Sequence, residues 1–256
     1  MGRLNAMLGR GSGGCDVVRV LASGIVVAVG LVVGSARAAE ADVWGGSLGG
    51  TSDYLVRGIS RSNDHGALQL DLHYVDASGF LAGVFASNAQ INPRAHGDAE
   101  VAAFLGFAWN RGDDWQGKFL LSHYAYPWSK AEHSYDYDEL AVDLSYREWL
   151  SVDLTYSPNS PIVSPYQGLI GVASESAEVN LQHRVLGKLS AMAGVGYAHY
   201  NGQEPTGYGY WSIGAVYDLA PVSVVLSYVN TTAAAKALFY NAAADGRWTG
   251  TIVWRF

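Results

Sequence analysis

Leu68-Gln69-Leu70-Asp71-Leu72-His73-Tyr74 alternates apolar and polar residues without a break. Successive side chains of a strand point to opposite faces, so Leu68, Leu70, Leu72 and Tyr74 share one face and Gln69, Asp71 and His73 the other. The same grammar recurs along the chain. Leu140, Val142, Leu144 and Tyr146 oppose Glu139, Ala141, Asp143 and Ser145, and Leu150, Val152, Leu154 and Tyr156 oppose Ser151, Asp153 and Thr155. A further stretch sets Ala177, Val179 and Leu181 against Glu178, Asn180, Gln182 and Arg184.

Reading outward from these runs predicts twelve strands, at 44–58, 66–76, 80–88, 98–110, 115–126, 135–146, 149–157, 175–185, 189–200, 208–218, 222–231 and 247–256. The connections between them alternate in length. Short ones lie at Ala77–Gly79, Arg111–Asp114, Arg147–Glu148, Leu186–Lys188 and Leu219–Pro221. Long ones, rich in Pro, Gly, Asn and Ser, lie at Gln90–Gly97, Pro127–Ser134, Pro158–Ser174 and Thr232–Gly246.

Charged residues on the second face would be ordinary in a water-facing sandwich or lipocalin. Short turns on one rim and long loops on the other, with aromatic residues gathered near strand ends, point instead to an antiparallel up-and-down transmembrane β-barrel of about twelve strands. An even count puts both termini on the short-turn rim. Trp109, Trp115, Tyr146, Trp149, Tyr228 and Trp248 stand among the aromatics that a membrane girdle needs.

The composition agrees. Of 256 residues, 49% are hydrophobic and only 15% are charged, whereas a soluble domain carries about 25% charged residues. Beyond residue 39 the longest apolar run, Ala102 to Trp109, is far too short for a helical span of about 20 residues.

The first 39 residues read differently. Arg3, Arg10 and Arg19 precede an apolar stretch from Val20 to Gly34, followed by Ser35-Ala36-Arg37-Ala38-Ala39. This pattern predicts a cleaved Sec-type signal peptide, 1–39, followed by a barrel domain, 40–256. The alternative, a transmembrane anchor, is disfavoured because the apolar stretch would rise only ~22 Å as a helix against a hydrocarbon core of ~30 Å. Cys15 is the only cysteine, so the processed chain would have none and no disulfide. Removing 1–39 leaves 12 basic and 22 acidic residues, a net charge of −10. A nucleic-acid partner is therefore not expected, since that needs a basic face.

The chain closes on Trp248-Thr249-Gly250-Thr251-Ile252-Val253-Trp254-Arg255-Phe256. Phe256, with Trp254 two positions earlier, resembles the terminal signal by which the barrel-assembly machinery recognises outer-membrane proteins.

Ser52-Asp53-Tyr54-Leu55-Val56-Arg57-Gly58-Ile59-Ser60-Arg61-Ser62, then Ala67-Leu68-Gln69, then Ser78-Gly79-Phe80-Leu81-Ala82-Gly83-Val84-Phe85-Ala86-Ser87-Asn88 and Asp98-Ala99-Glu100-Val101 resemble the TorF-type (Gcw_chp) porin family of proteobacterial outer-membrane proteins. The likeness covers the first strands; downstream it is one of layout, and Phe85 stands where many relatives carry Trp. The resemblance implies an outer-membrane pore for small hydrophilic solutes or ions, set among lipid and lipopolysaccharide, with no cofactor or energy coupling.

Two groups of residues are candidates for the lumen. Asp53, Arg57, Arg61 and Asp71 come from the first two strands and their connection, and would either filter solutes by a transverse field or brace the first hairpin as ion pairs. Glu100, Glu139, Asp143, Asp153, Glu178 and Arg184 share the polar parity of their strands and predict a hydrated, mildly cation-preferring interior. The connection 158–174 is long enough to fold inward as a constriction or to stand on the surface.

An outer-membrane enzyme is a rival class. The seven histidines are scattered, and His123 directly follows Ser122, so the two point to opposite faces of a strand and form no nucleophile–base pair. No Gly-x-Ser-x-Gly elbow or metal-binding cluster is present in the sequence. A non-conducting adhesive or structural barrel is the third class, because twelve strands fall between barrels filled by side chains and those with an open aqueous channel.

Overall fold

The computed structural model describes residues 43–90, 98–129, 135–147, 149–164, 168–202, 206–239 and 241–256. The expected 1–39 leader lies outside them, as do parts of the long connections, including residues 91–97, 130–134 and 165–167. Among the described residues the barrel strands are β1 (Val43–Thr51), β4 (Ala67–Val75), β5 (Phe80–Ala89), β6 (Asp98–Arg111), β7 (Trp115–Ala125), β8 (Tyr137–Tyr146), β9 (Leu150–Ser164), β10 (Gly168–Leu186), β11 (Leu189–Asn201), β12 (Thr206–Asp218), β13 (Val222–Thr231) and β14 (Arg247–Arg255). The first connection adds two short strands, β2 (Leu55–Val56) and β3 (Ile59–Ser60), and the last adds a helix, α1 (Ala233–Leu238), and a 3₁₀ turn at Asn241–Ala244.

Each barrel strand pairs antiparallel with the next, and β1 closes the ring against β14 with Ser47 opposite Arg255 and Thr51 opposite Thr251. The fold is a closed twelve-stranded antiparallel barrel, as the alternation predicts. A closed ring leaves no sheet edge, so every barrel strand has a backbone partner on both sides, the requirement for a sheet surrounded by lipid.

The period-two pattern sorts the side chains by face. Leu68, Leu70 and Leu72 of β4, Leu105 and Phe107 of β6, Val195 of β11, Ile213 of β12, Leu226 of β13 and Ile252 of β14 all stand exposed on the outside. Their neighbours in sequence, among them Gln69, Phe104, Ser212 and Ser227, are buried. With no second layer outside the barrel, those buried side chains occupy its interior. Aromatics ring the exterior in contacting groups, such as Trp115–Tyr146 with ring centroids 4.8 Å apart and Trp211–Tyr228–Trp248 at 5.7 and 5.5 Å. An apolar band between aromatic rings is the surface that a bilayer covers.

The short connections are tight turns. After β4, the Asp76 carboxylate accepts hydrogen bonds from Ser78 N at 2.8 Å, Ser78 Oγ at 2.6 Å and Phe80 N at 3.1 Å. These bonds, the Ser78 hydroxyl first, hold the Asp76 carboxyl below the ordinary aspartate range. The lowered native value means that the turn's electrostatic contribution is present above the unfolded aspartate pKa of about 3.9 and is lost as the pH falls through the native value. A carboxyl-carbon NMR titration should therefore place the Asp76 midpoint below that of an unfolded aspartate; a midpoint at or above it would contradict the turn. A second pair, Arg147 Nε to Asp114 Oδ1 at 2.7 Å, ties two neighbouring turns of the same rim.

Two expectations need correction. The first strand was expected to run to residue 58, but β1 ends at Thr51 and the chain turns inward. Tyr54 and Val56 continue the alternation only because β2 and β3 form a hairpin with two packed faces of its own. The connection at 158–174 neither plugs the barrel nor forms an irregular loop: β9 and β10 continue pairing through Gly168 and Ser164, well past the last β8 partner, Tyr156.

Candidate functional site

The inward segment starts where β1 ends. Its hairpin pairs Leu55 with Ser60 and Val56 with Ile59, leaving Arg57 and Gly58 as a two-residue turn with both φ values positive, 52° and 77°. Such a turn matches the twist of a tight hairpin, and glycine suits the second position. A Cβ on Gly58 would stand 2.7 Å from Thr231 Cγ2, so the turn lies directly against β13.

Asp53 anchors the base of the segment. Its Oδ1 lies 2.6 Å from Ser60 Oγ and 2.8 Å from Ser62 Oγ, and its Oδ2 accepts a hydrogen bond from Arg247 Nη1 of β14 at 2.6 Å. Arg247 also pairs with Asp64. At the tip, the buried Arg57 guanidinium donates to Thr155 Oγ1 of β9 at 2.8 Å and pairs with Glu139 of β8. Strands β8 and β9 lie across the ring from β1, so the segment traverses the lumen and is latched at both ends.

The hairpin separates two buried clusters. Tyr54 and Val56 pack with Phe85, Phe104, Leu120, Tyr124 and Tyr137, while Leu55 and Ile59 pack with Tyr200, Tyr208, Tyr210 and Val229. Helix α1 and the 3₁₀ turn add Ala235 and Ala244 to the second cluster, and Phe239 meets Tyr208 edge-on at 5.5 Å. Both infolded segments belong to the long-loop rim. They constrict that end of the barrel.

The wall behind the constriction has two chemical sides. The inner faces of β5 to β7 are largely apolar, with Leu81, Phe85, Phe104 and Leu120 buried. The inner faces of β8 to β10 are acidic. In register, Lys118 of β7 stands beside Asp143, Asp143 beside Asp153, and Asp153 beside Glu178. Lys118 Nζ lies 2.9 Å from Asp143 Oδ2, and Asn180 Nδ2 donates to Asp153 Oδ2 at 3.0 Å.

The candidate lumen residues thus fall into separate places. Asp53 and Arg57 lie at opposite ends of the hairpin segment, held by Arg247 and Glu139. Arg61 lies within electrostatic range of Glu100, Tyr126 and Tyr137, and Asp71 sits on β4 with its Oδ1 2.6 Å from His73 Nδ1. Glu100 is fully buried and accepts hydrogen bonds from Tyr54 Oη at 2.6 Å and from Tyr126 Oη. Glu139, Asp143, Asp153 and Glu178 share the acidic wall. Arg184 is exposed at the short-turn end of β10, opposite Ser190. Trp254 and Phe256 are exposed at the same rim, their rings 5.0 Å apart.

Sequence reading missed Arg247, Lys118 and the tyrosines that hold Glu100, because their partners are set by cross-strand register and not by spacing along the chain. Ser122 is buried inside the barrel, whereas His123 is exposed and lies 2.8 Å from Asp138. The pair is divided between faces.

Residues 36–255 match the model of a family described as "Bacterial protein of unknown function (Gcw_chp)". The chain belongs to the Gcw_chp family. No curated protein matches this Gcw_chp sequence. Among solved structures it is similar to the KdgM porin, with a TM-score of 0.50 and 11% identity over 83% of this chain and 99% of that one. It is also similar to the NanC porin, with a TM-score of 0.52 and 9% identity over 82% and 98%. At such identities the likeness is one of fold: this Gcw_chp chain has the architecture of a porin-like barrel.

Proposed function

We propose that this protein is a TorF-type porin of a proteobacterial outer membrane, passing small hydrophilic solutes or ions by passive diffusion without a cofactor. The observation that carries this reading is the pairing of an apolar exterior with an acidic inner wall along a closed twelve-stranded barrel. Lumen carboxylates raise the local concentration of cations, so the pore prefers cations over anions. Export through the Sec pathway, with loss of residues 1–39, and recognition of Trp254 and Phe256 by the barrel-assembly machinery belong to the same reading. So does a seat among outer-membrane lipid and lipopolysaccharide.

The test is single-channel recording of the protein purified in detergent and inserted into a planar bilayer. Discrete conductance steps with cation preference are expected, and the combined variant Asp143→Asn, Asp153→Asn, Glu178→Gln should lose most of that preference. A folded barrel that gives no steps overturns the diffusion reading. The infolded hairpin favours the second reading, a non-conducting adhesive or structural barrel, which predicts that silent outcome.

A further inference from the structure

On the inner wall next to the acidic row, β11 presents two glycines, Gly194 and Gly196, where other strands carry side chains. Both are crossed from the flanks. A Cβ on Gly194 would stand 2.3 Å from Asn180 Oδ1 and 3.1 Å from Ser212 Oγ, and a Cβ on Gly196 would stand 2.3 Å from Cζ of Tyr210. The glycines are therefore the floor of a shallow cradle. Its sides are Glu178 and Asn180 from β10 and Tyr210 and Ser212 from β12, which are register neighbours of those glycines.

The polar atoms turned into this cradle are acceptors in excess. Asn180 spends its amide N–H on Asp153, which fixes Oδ1 on the glycine side, where it meets no donor. Ser212 Oγ is likewise without a partner, and both residues are more than nine-tenths buried. Glu178 is 2% exposed; Asn180 and Tyr210 lie beside it, at a geometry that completes no hydrogen bond to either carboxylate oxygen. Lys118 is committed to Asp143 and Arg57 to Glu139. Buried acceptors without donors are costly, and a ligand rich in N–H groups would satisfy them.

We propose that this cradle binds a small organic cation of the primary-ammonium class, such as an aliphatic diamine. The proposal rests on the pore reading above and assigns its solute class. An ammonium has three donors for Glu178, Asn180 Oδ1 and Ser212 Oγ, and the Tyr210 ring offers a cation–π face. Gln182, two residues beyond Asn180 on the same face, has a further acceptor, Oε1, that is buried without a partner. It lies about 6.8 Å further along the strand, where the second ammonium of a diamine finds it. Among the described residues no group of three His, Cys, Asp or Glu side chains is suited to a metal ion, so the cradle favours an organic cation over a bare one.

The test is calorimetric titration of the detergent-folded protein with 1,4-diaminobutane, with heat-modifiability on gels to verify each variant's fold. Saturable binding is expected, weakened about tenfold or more, roughly 1.4 kcal/mol per decade, in both Glu178→Gln and Tyr210→Leu. Asp113→Asn, the same charge change on an exposed turn, should leave it unchanged. Gly196→Ala keeps every charge but fills the floor, and should weaken binding as well. No saturable binding, equal affinity in the cradle variants, or displacement by potassium at the same ionic strength overturns the proposal. Binding without conductance would overturn the diffusion reading alone, and conductance without binding would overturn this one alone.

Discussion

Arg57→Ala is expected to destabilise the folded barrel by about 3–5 kcal/mol, the usual cost of leaving one partner of a buried ion pair unpaired. Arg57 is 7% exposed and Glu139 8%, so the glutamate left behind would have little water to turn to. The paired change Arg57→Met with Glu139→Leu should recover most of the loss, because replacing both charges by apolar groups removes the desolvation cost. Urea unfolding followed by tryptophan fluorescence measures both. A single variant that costs less than about 1 kcal/mol, the range of exposed pairs, would mean that the hairpin tip is hydrated and not latched.

Leu226→Arg should cost about 2–4 kcal/mol in lipid, the penalty for a cation near the bilayer midplane. Leu226 lies mid-strand on β13, 53% exposed, between Ala215 and Gly250. On a water-facing sheet the same substitution would be almost neutral. Equilibrium unfolding from lipid vesicles separates the two cases: an unchanged stability would remove the bilayer from the outside of this barrel.

Most of the architecture was legible because one rule, alternation with period two, governs every barrel strand and cannot be mistaken for a helix over eight or ten residues. It failed where two structures share that period. Ser52 to Gly58 alternates as a strand does, and the turn signal Arg57-Gly58 lacks the usual Asn or Asp at its first position. At 158–164 the prolines read as loop, yet β9 has no β8 neighbour beyond Tyr156, so half of its N–H groups need no partner and proline is tolerated there.

The acidic wall was legible as parity: Glu139, Asp143, Asp153 and Glu178 all fall on the inner face. Their mutual arrangement was not, since which carboxylate stands beside which depends on stagger between strands. The glycine floor on β11 was hidden for a related reason. Gly194 and Gly196 mean little until Asn180, Tyr210 and Ser212 are seen to lean across them.

Arg247 gives the molecule an order of assembly. It belongs to the final strand, yet it holds Asp53 at the root of the inward segment, 194 residues earlier in the chain. The neighbouring bonds, Thr251 Oγ1 to Thr51 Oγ1 at 2.9 Å and Gly250 N to Ser52 Oγ at 3.0 Å, join the same two ends. A chain still emerging or half inserted has no Arg247 to offer, and its first connection is free to swing. Sealing the ring and setting the constriction are therefore a single event, and a barrel that has not closed cannot yet be selective.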